Sequence, residues 1–204
     1  MPEYSSSSGT DVSRRITSGL SVLLWLAIIA VPWFSRPPGM PSSQSGLAAP
    51  LLDACVADRP DEPAGFLRGQ LYGDLKRSIN SHAPELHCGG GLRPDGQGIR
   101  LVLAPTGQQL LFVLGFGKLP DTDAAGEQAV NLTIIDERSG RFYNSGTTER
   151  CWVRLGRFRE RQQDHRYELA GELYCAGALS AVNSAGFVTP GDFVFAGHFI
   201  ADPE

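Results

Sequence analysis

From Ile16 to Phe34 the chain reads ITSGLSVLLWLAIIAVPWF, nineteen residues without one charge. As a helix that run is roughly 28 Å long, just enough to cross the hydrocarbon core of a bilayer. It divides the chain into a short N-terminal piece and everything that must fold on the far side. Arg14 and Arg15 precede it and Arg36 follows, a charge pattern that places residues 1–15 in the cytoplasm. Trp33 and Phe34 stand where an interfacial aromatic anchor belongs. A cleaved signal peptide has the same order of charge, apolar core and polar exit. Cleavage after Ala30, however, would put Ile28 where a small residue is wanted, with Pro32, Trp33 and Phe34 following at once. Lipoprotein processing fits less well, because Cys55 lies far beyond the apolar run. An uncleaved transmembrane helix at 16–34 is the expectation, and on either main reading the rest of the chain leaves the cytoplasm.

Residues 35–50, SRPPGMPSSQSGLAAP, carry one charge and no core-forming pattern, so they read as a linker. Such a segment spans about 22 Å as a coil and about 50 Å as extended polyproline, which holds residues 51–204 close to a membrane surface. With 42% hydrophobic residues in 204, wholesale disorder is excluded. The formal net charge of −4 argues against nucleic acid as a partner, since phosphate contacts need a basic face.

The four cysteines, Cys55, Cys88, Cys151 and Cys175, are an even number in a segment assigned to an oxidising compartment, and none share C-x-x-C spacing. Two disulfides are expected. A zinc site is the sharper alternative, disfavoured by the wide separations and the lack of paired histidines.

Short apolar, β-rich runs follow the linker. Residues 67–79 alternate, with Leu67, Leu71, Leu75 and Ile79 on one side and polar residues on the other, which predicts one strand with a wet face. Further strands are predicted at 99–104, 110–116, 129–135, 141–144, 151–158, 166–175, 187–189 and 193–200, separated by turn residues. This spacing predicts an all-β fold, an antiparallel β-sandwich or a small β-barrel. A hairpin turn centred on Gln163 pairs residues whose numbers sum to 326. That register sets Cys151 opposite Cys175, Trp152 opposite Tyr174, Arg154 opposite Glu172 and Glu160 opposite Arg166. A Cys151–Cys175 bridge then leaves Cys55 to Cys88. Phe193, Phe195 and Phe199 share one strand face and are assigned to the core, with His198 on the other.

The chemistry on offer is sparse. Asp121, Asp123 and Glu127 begin like a calcium loop, but Ala125 and Leu132 occupy later ligand positions, so they are weak metal candidates. No G-x-S-x-G elbow is present, His82, His87, His165 and His198 lack metal-ligand spacing, and no cofactor is expected. Gly89–Gly91 reads as a glycine-rich connection between strands. The hairpin is rich in arginine, and Arg157, Arg159 and Arg161 would share one face about 7 Å apart, a candidate anion-binding row for lipid headgroups, anionic glycan or an acidic protein patch. The bland reading of that row is a solubilising hairpin tip.

The stretches HCGGGLRPDGQGIRLVL, VNLTIIDERSGRFYNS, and CWVRL through ELYCAGAL resemble bacterial membrane-anchored extracytoplasmic domains, a group without known activity. That resemblance implies a bacterial source and a periplasmic address, and supplies no site residues. The expected function is a non-enzymatic interaction module of the bacterial envelope, contacting an envelope protein or polymer. One alternative is a β-barrel enclosing a small lipid-like ligand. Another is a glycan or lipid hydrolase, for which Asp95, Asp136, Glu137 and His87 are the acid/base candidates.

Overall fold

The structure, a computed structural model, describes residues 52–60, 62, 64–94, 96–120, 126–146 and 150–201. The anchor at 16–34 and the linker at 35–50 lie outside the described residues. Among those described, no helix is long and apolar enough to cross a membrane.

The described chain is all-β. Its strands are β1 (Asp53–Ala54), β2 (Phe66–Gly73), β3 (Arg77–His82), β4 (Leu86–Leu92), β5 (Ile99–Pro105), β6 (Leu110–Phe116), β7 (Glu127–Asp136), β8 (Arg141–Asn144), β9 (Cys151–Arg161), β10 (Arg166–Cys175), β11 (Leu179–Ala181), β12 (Phe187–Pro190) and β13 (Phe193–Ile200). Every pairing is antiparallel. The ranges of β6, β8, β10 and β13 coincide with the alternating runs in the sequence.

Two strands act as branch points. Along one edge of β7, residues Glu127–Val130 pair with β9 and Thr133–Asp136 pair with β8. Along one edge of β2, Phe66–Arg68 pair with β13 and Leu71–Gly73 with β12. The hydrogen-bonded path β7–β8–β11–β12–β2–β13–β10–β9 therefore returns to β7. β4, β5 and β6 extend from the other edge of β7, and β13 lies against β4 and β5. The result is two layers, one around β4–β8 with β11, the other around β9, β10, β13, β2 and β3, joined at both sides.

The inward residues of both layers form one core. Phe112 and Phe193 meet across it with ring centroids 5.5 Å apart, and Phe116, Phe195, Leu67, Leu101 and Tyr143 are essentially inaccessible. The layers approach closely where glycine permits it. A Cβ on Gly197 would lie 2.8 Å from Leu103, and one on Gly90 would lie 2.8 Å from the Phe199 ring.

Three expectations need correction. Residues 67–79 are not one strand: Gly73, at φ +90°, and the turn at Asp74–Lys76 fold them into the β2–β3 hairpin. The alternation survives because both strands send their apolar residues inward. Gly89–Gly91 are not a connection but the middle of β4, where the neighbouring layer leaves no room for a side chain at Gly90. In the β9–β10 hairpin the 326 register holds from Cys151–Cys175 to Leu155–Gly171 and then slips by one, so that Glu160 faces Tyr167 and Arg161 faces Arg166. Gly156 is the extra residue, and a bulge of this kind re-aims every side chain beyond it.

Both disulfides have the expected partners, Cys55–Cys88 and Cys151–Cys175. The first pins the segment that precedes β2 to β4. The second joins directly opposed residues of β9 and β10, whose Cα atoms are 4.0 Å apart.

Candidate functional site

The Gly156 bulge decides where the arginines go. Beyond it, Arg157, Arg159 and Arg161 stand opposite Ala170, Glu168 and Arg166 on the outer face of the second layer. A strap formed by residues 55–60, 62, 64 and 65 crosses this face. Its Glu62 carboxylate accepts from Arg161 Nη1 at 2.6 Å and sits 3.4 Å from Arg166 Nη2, and Asp58 pairs with Arg166. Arg161 also pairs with Asp164. Burial pushes the Glu62 carboxyl up, but the Asp58 amide and the Arg166 and Arg161 charges outweigh it and hold it below the usual carboxylate range. Arg161 is thus a clamp for the strap, with its side chain only 15% exposed, rather than part of an open anion-binding row.

Arg157 is placed differently. The row running across the layer at its level is Phe66 on β2, Ala196 on β13, Ala170 on β10 and Arg157 on β9. Two methyl groups between a phenyl ring and a guanidinium leave a hollow roughly 14 Å across at ordinary strand spacing. This is the open cleft of about 700 Å³ lined by Phe66, Leu155, Arg157, Ala170, Val194 and Ala196, among others. Gly156 and Gly171 at the bulge deepen it.

The next row bounds the cleft with charge. Arg154 donates to Glu127 Oε1 at 3.0 Å and to Glu172 Oε2 at 3.2 Å. The Tyr174 hydroxyl and then Arg154 keep the Glu127 carboxyl below the usual carboxylate range. Trp152 stacks on Tyr174 beyond it, centroids 5.7 Å apart. Arg157 lines the cleft, and its Nη1 is buried and donates to no acceptor among the described residues. A buried guanidinium N–H left unmet is costly, and an incoming carboxylate, phosphate or carbonyl oxygen removes that cost.

The other candidates are dispersed. Asp121, Asp123 and Asp95 lie outside the described residues, and Glu127 is committed to Arg154. Asp136 caps the β7–β8 turn by accepting from the Arg138 amide and the Ser139 hydroxyl. His87 and Glu137 do share a shallow groove, with Leu52 and Leu111, but His87 Nδ1 is 3.0 Å from the Thr106 hydroxyl. Cys55, Cys88 and His198 bring their ligand atoms within 4.8 Å of one another. The two sulfurs are bonded to each other, so neither is a thiolate that a metal could use.

Sequence reasoning missed Phe66, Ala170 and Ala196. No local pattern marks two alanines as a site; only the β2–β13–β10–β9 register sets them side by side between larger residues. Comparison of the chain with protein-family models, with curated proteins and with solved structures finds no match.

Proposed function

We propose that this chain is a membrane-anchored, extracytoplasmic interaction module of the bacterial envelope. Residues 16–34 span the inner membrane as a single helix, residues 35–50 tether, and the β domain faces the periplasm. Its cleft takes a partner segment that lays apolar groups over Ala170 and Ala196 and offers an oxygen acceptor to Arg157. Two disulfides agree with an oxidising compartment. The observation that carries the reading is a cleft that sets Arg157, whose buried Nη1 has no acceptor among the described residues, beside the apolar Phe66, Leu155 and Val194. The enclosed-ligand alternative is less well supported, because Phe112, Phe116, Phe193 and Phe195 already fill the space between the layers.

The test places a photoreactive benzoyl-phenylalanine at Val194, an exposed wall residue, in the full chain in its native envelope. Irradiation is expected to give a discrete adduct that disappears in the Arg157→Gln background. An adduct of undiminished yield in that background, or no adduct at all, would sink the proposal.

A further inference from the structure

The opposite outer face, on the first layer, has a different character. One row of outward residues crosses it from strand to strand. Leu111 on β6 stands opposite Ile135 on β7, which stands opposite Phe142 on β8. The Val182 amide donates to the Phe142 carbonyl at 2.7 Å, which brings Val182 alongside. The next row ends in Phe187, opposite Ser180. Phe142, Val182 and Phe187 are 46%, 47% and 53% exposed, and Tyr72 on the adjoining β2 is 51% exposed. Single exposed apolar residues are ordinary, but a continuous row over several strands marks a surface that meets something apolar.

Where the undescribed chain ends says what that is. Leu52, the first described residue, lines one groove with Leu111, Ala104 and His87, at the edge of this row. Seventeen residues, 35–51, separate it from the apolar run at 16–34. As a coil their mean span is about 23 Å, and as extended polyproline about 50 Å, so the domain stays beside the bilayer.

We infer that the row Leu111–Ile135–Phe142–Val182, with Phe187, rests on the lipid bilayer in the headgroup region. This deepens the proposed function and rests on its membrane anchor. Phenylalanine and valine side chains at this depth leave water while the sheet backbone stays paired. At the β7–β8 turn beside Phe142, Arg138 donates to Gln109 Oε1 at 3.0 Å and Arg141 pairs with Asp74, so the row itself meets the bilayer with apolar groups alone. The contact need not hold the domain alone, since the tether makes it intramolecular. Because β13 lies against β4 and β5, the outer faces of the two layers point in opposite directions, and the Arg157 cleft then opens away from the membrane.

The experiment reconstitutes the full chain in phosphatidylcholine vesicles containing a lipid with a carbene-generating group near its headgroup, followed by peptide mapping. Residues 16–34 and the peptides holding Phe142 and Val182–Phe187 are expected to carry label several-fold above those holding Trp152 and Tyr174. The Phe142→Ser, Phe187→Ser double variant, altered only at exposed positions, is expected to lose the domain label and keep that at 16–34. Label at 16–34 with none, or an even spread, over the domain would overturn the inference and leave the anchor standing. Absence of label from 16–34 would overturn the anchor and this inference together. Crosslinks between copies through Phe142 or Phe187 without lipid label would show a homotypic interface and overturn it as well.

Discussion

His198 is the residue whose surroundings depart furthest from what its sequence neighbours suggest. It lies on the outer face of β13, opposite Glu168 in the sheet register, with Nδ1 3.9 Å from Cys55 Sγ and the strap above it. Burial, and next the Arg166 charge, push its pKa down to about 4; Asp58 and Glu62 pull the other way, and Arg161 adds to the depression. The unfolded chain takes up this proton near pH 6.5, the folded chain only near pH 4. Between those values the unfolded state holds more protons, so the stability contributed here is complete above pH 6.5 and is lost as pH falls toward 4. The loss is on the order of 1–2 kcal/mol once partial solvent access is allowed for. Urea unfolding between pH 7 and 5 is expected to show a shallower decline for His198→Gln than for the parent chain; parallel declines would refute the assignment. That His198 faces away from Phe193, Phe195 and Phe199 was legible from alternation alone. Its depressed pKa was not, because Arg166, Asp58 and Glu62 come from distant parts of the chain. The same limit hid the Arg157 cleft, which depends on alanines on two different strands.

The element that ties these groups together is the strap of residues 55–65. Its described residues form no helix or strand, and it is held at one end by Cys55–Cys88 and along its length by Glu62 and Asp58 on the β9–β10 arginines. The cysteine pairing could be read from hairpin arithmetic, since Cys151 and Cys175 fell opposite one another and left one other pair. The bulge at Gly156 could not, because nothing local distinguishes an extra residue from the next step of a strand. Beyond that residue Arg161 stands opposite Arg166, and Glu62 pairs with both. The Cys55–Cys88 bridge closes a separation of 33 residues, and its constraint on the unfolded chain is worth about 3–4 kcal/mol. The Cys55→Ala, Cys88→Ala double variant is therefore expected to lower the urea midpoint by that equivalent and to speed proteolysis between residues 56 and 64. An unchanged midpoint would mean that the Glu62 and Asp58 pairs hold the strap without the bridge.

At the scale of the molecule, the branching of β7 and β2 turns local pairings into one circuit. Strand content and antiparallel pairing were legible because alternation and turn residues are local signals, and most of the strands appear near where they were expected. Closure was not legible, since it joins β7 to β9 and β2 to β13, pairs whose register depends on the whole chain. β1 and β11, two and three residues long, were too short for any period to register. The circuit also has an energetic consequence. Each layer covers the apolar face of the other, and neither β4–β6 nor the β9–β10 hairpin can keep Leu101, Phe112, Leu169 or Phe195 dry by itself. Partial opening at β7 would expose the core on both sides, so intermediates with one layer intact are unfavourable. The β domain of the oxidised chain is accordingly expected to unfold in urea as one transition, with Trp152 fluorescence and far-ultraviolet circular dichroism giving the same midpoint. Trp152 reports the β7–β9 corner and the dichroism reports the entire sheet, so two separated midpoints would show that the layers unfold independently and that the circuit does not couple them.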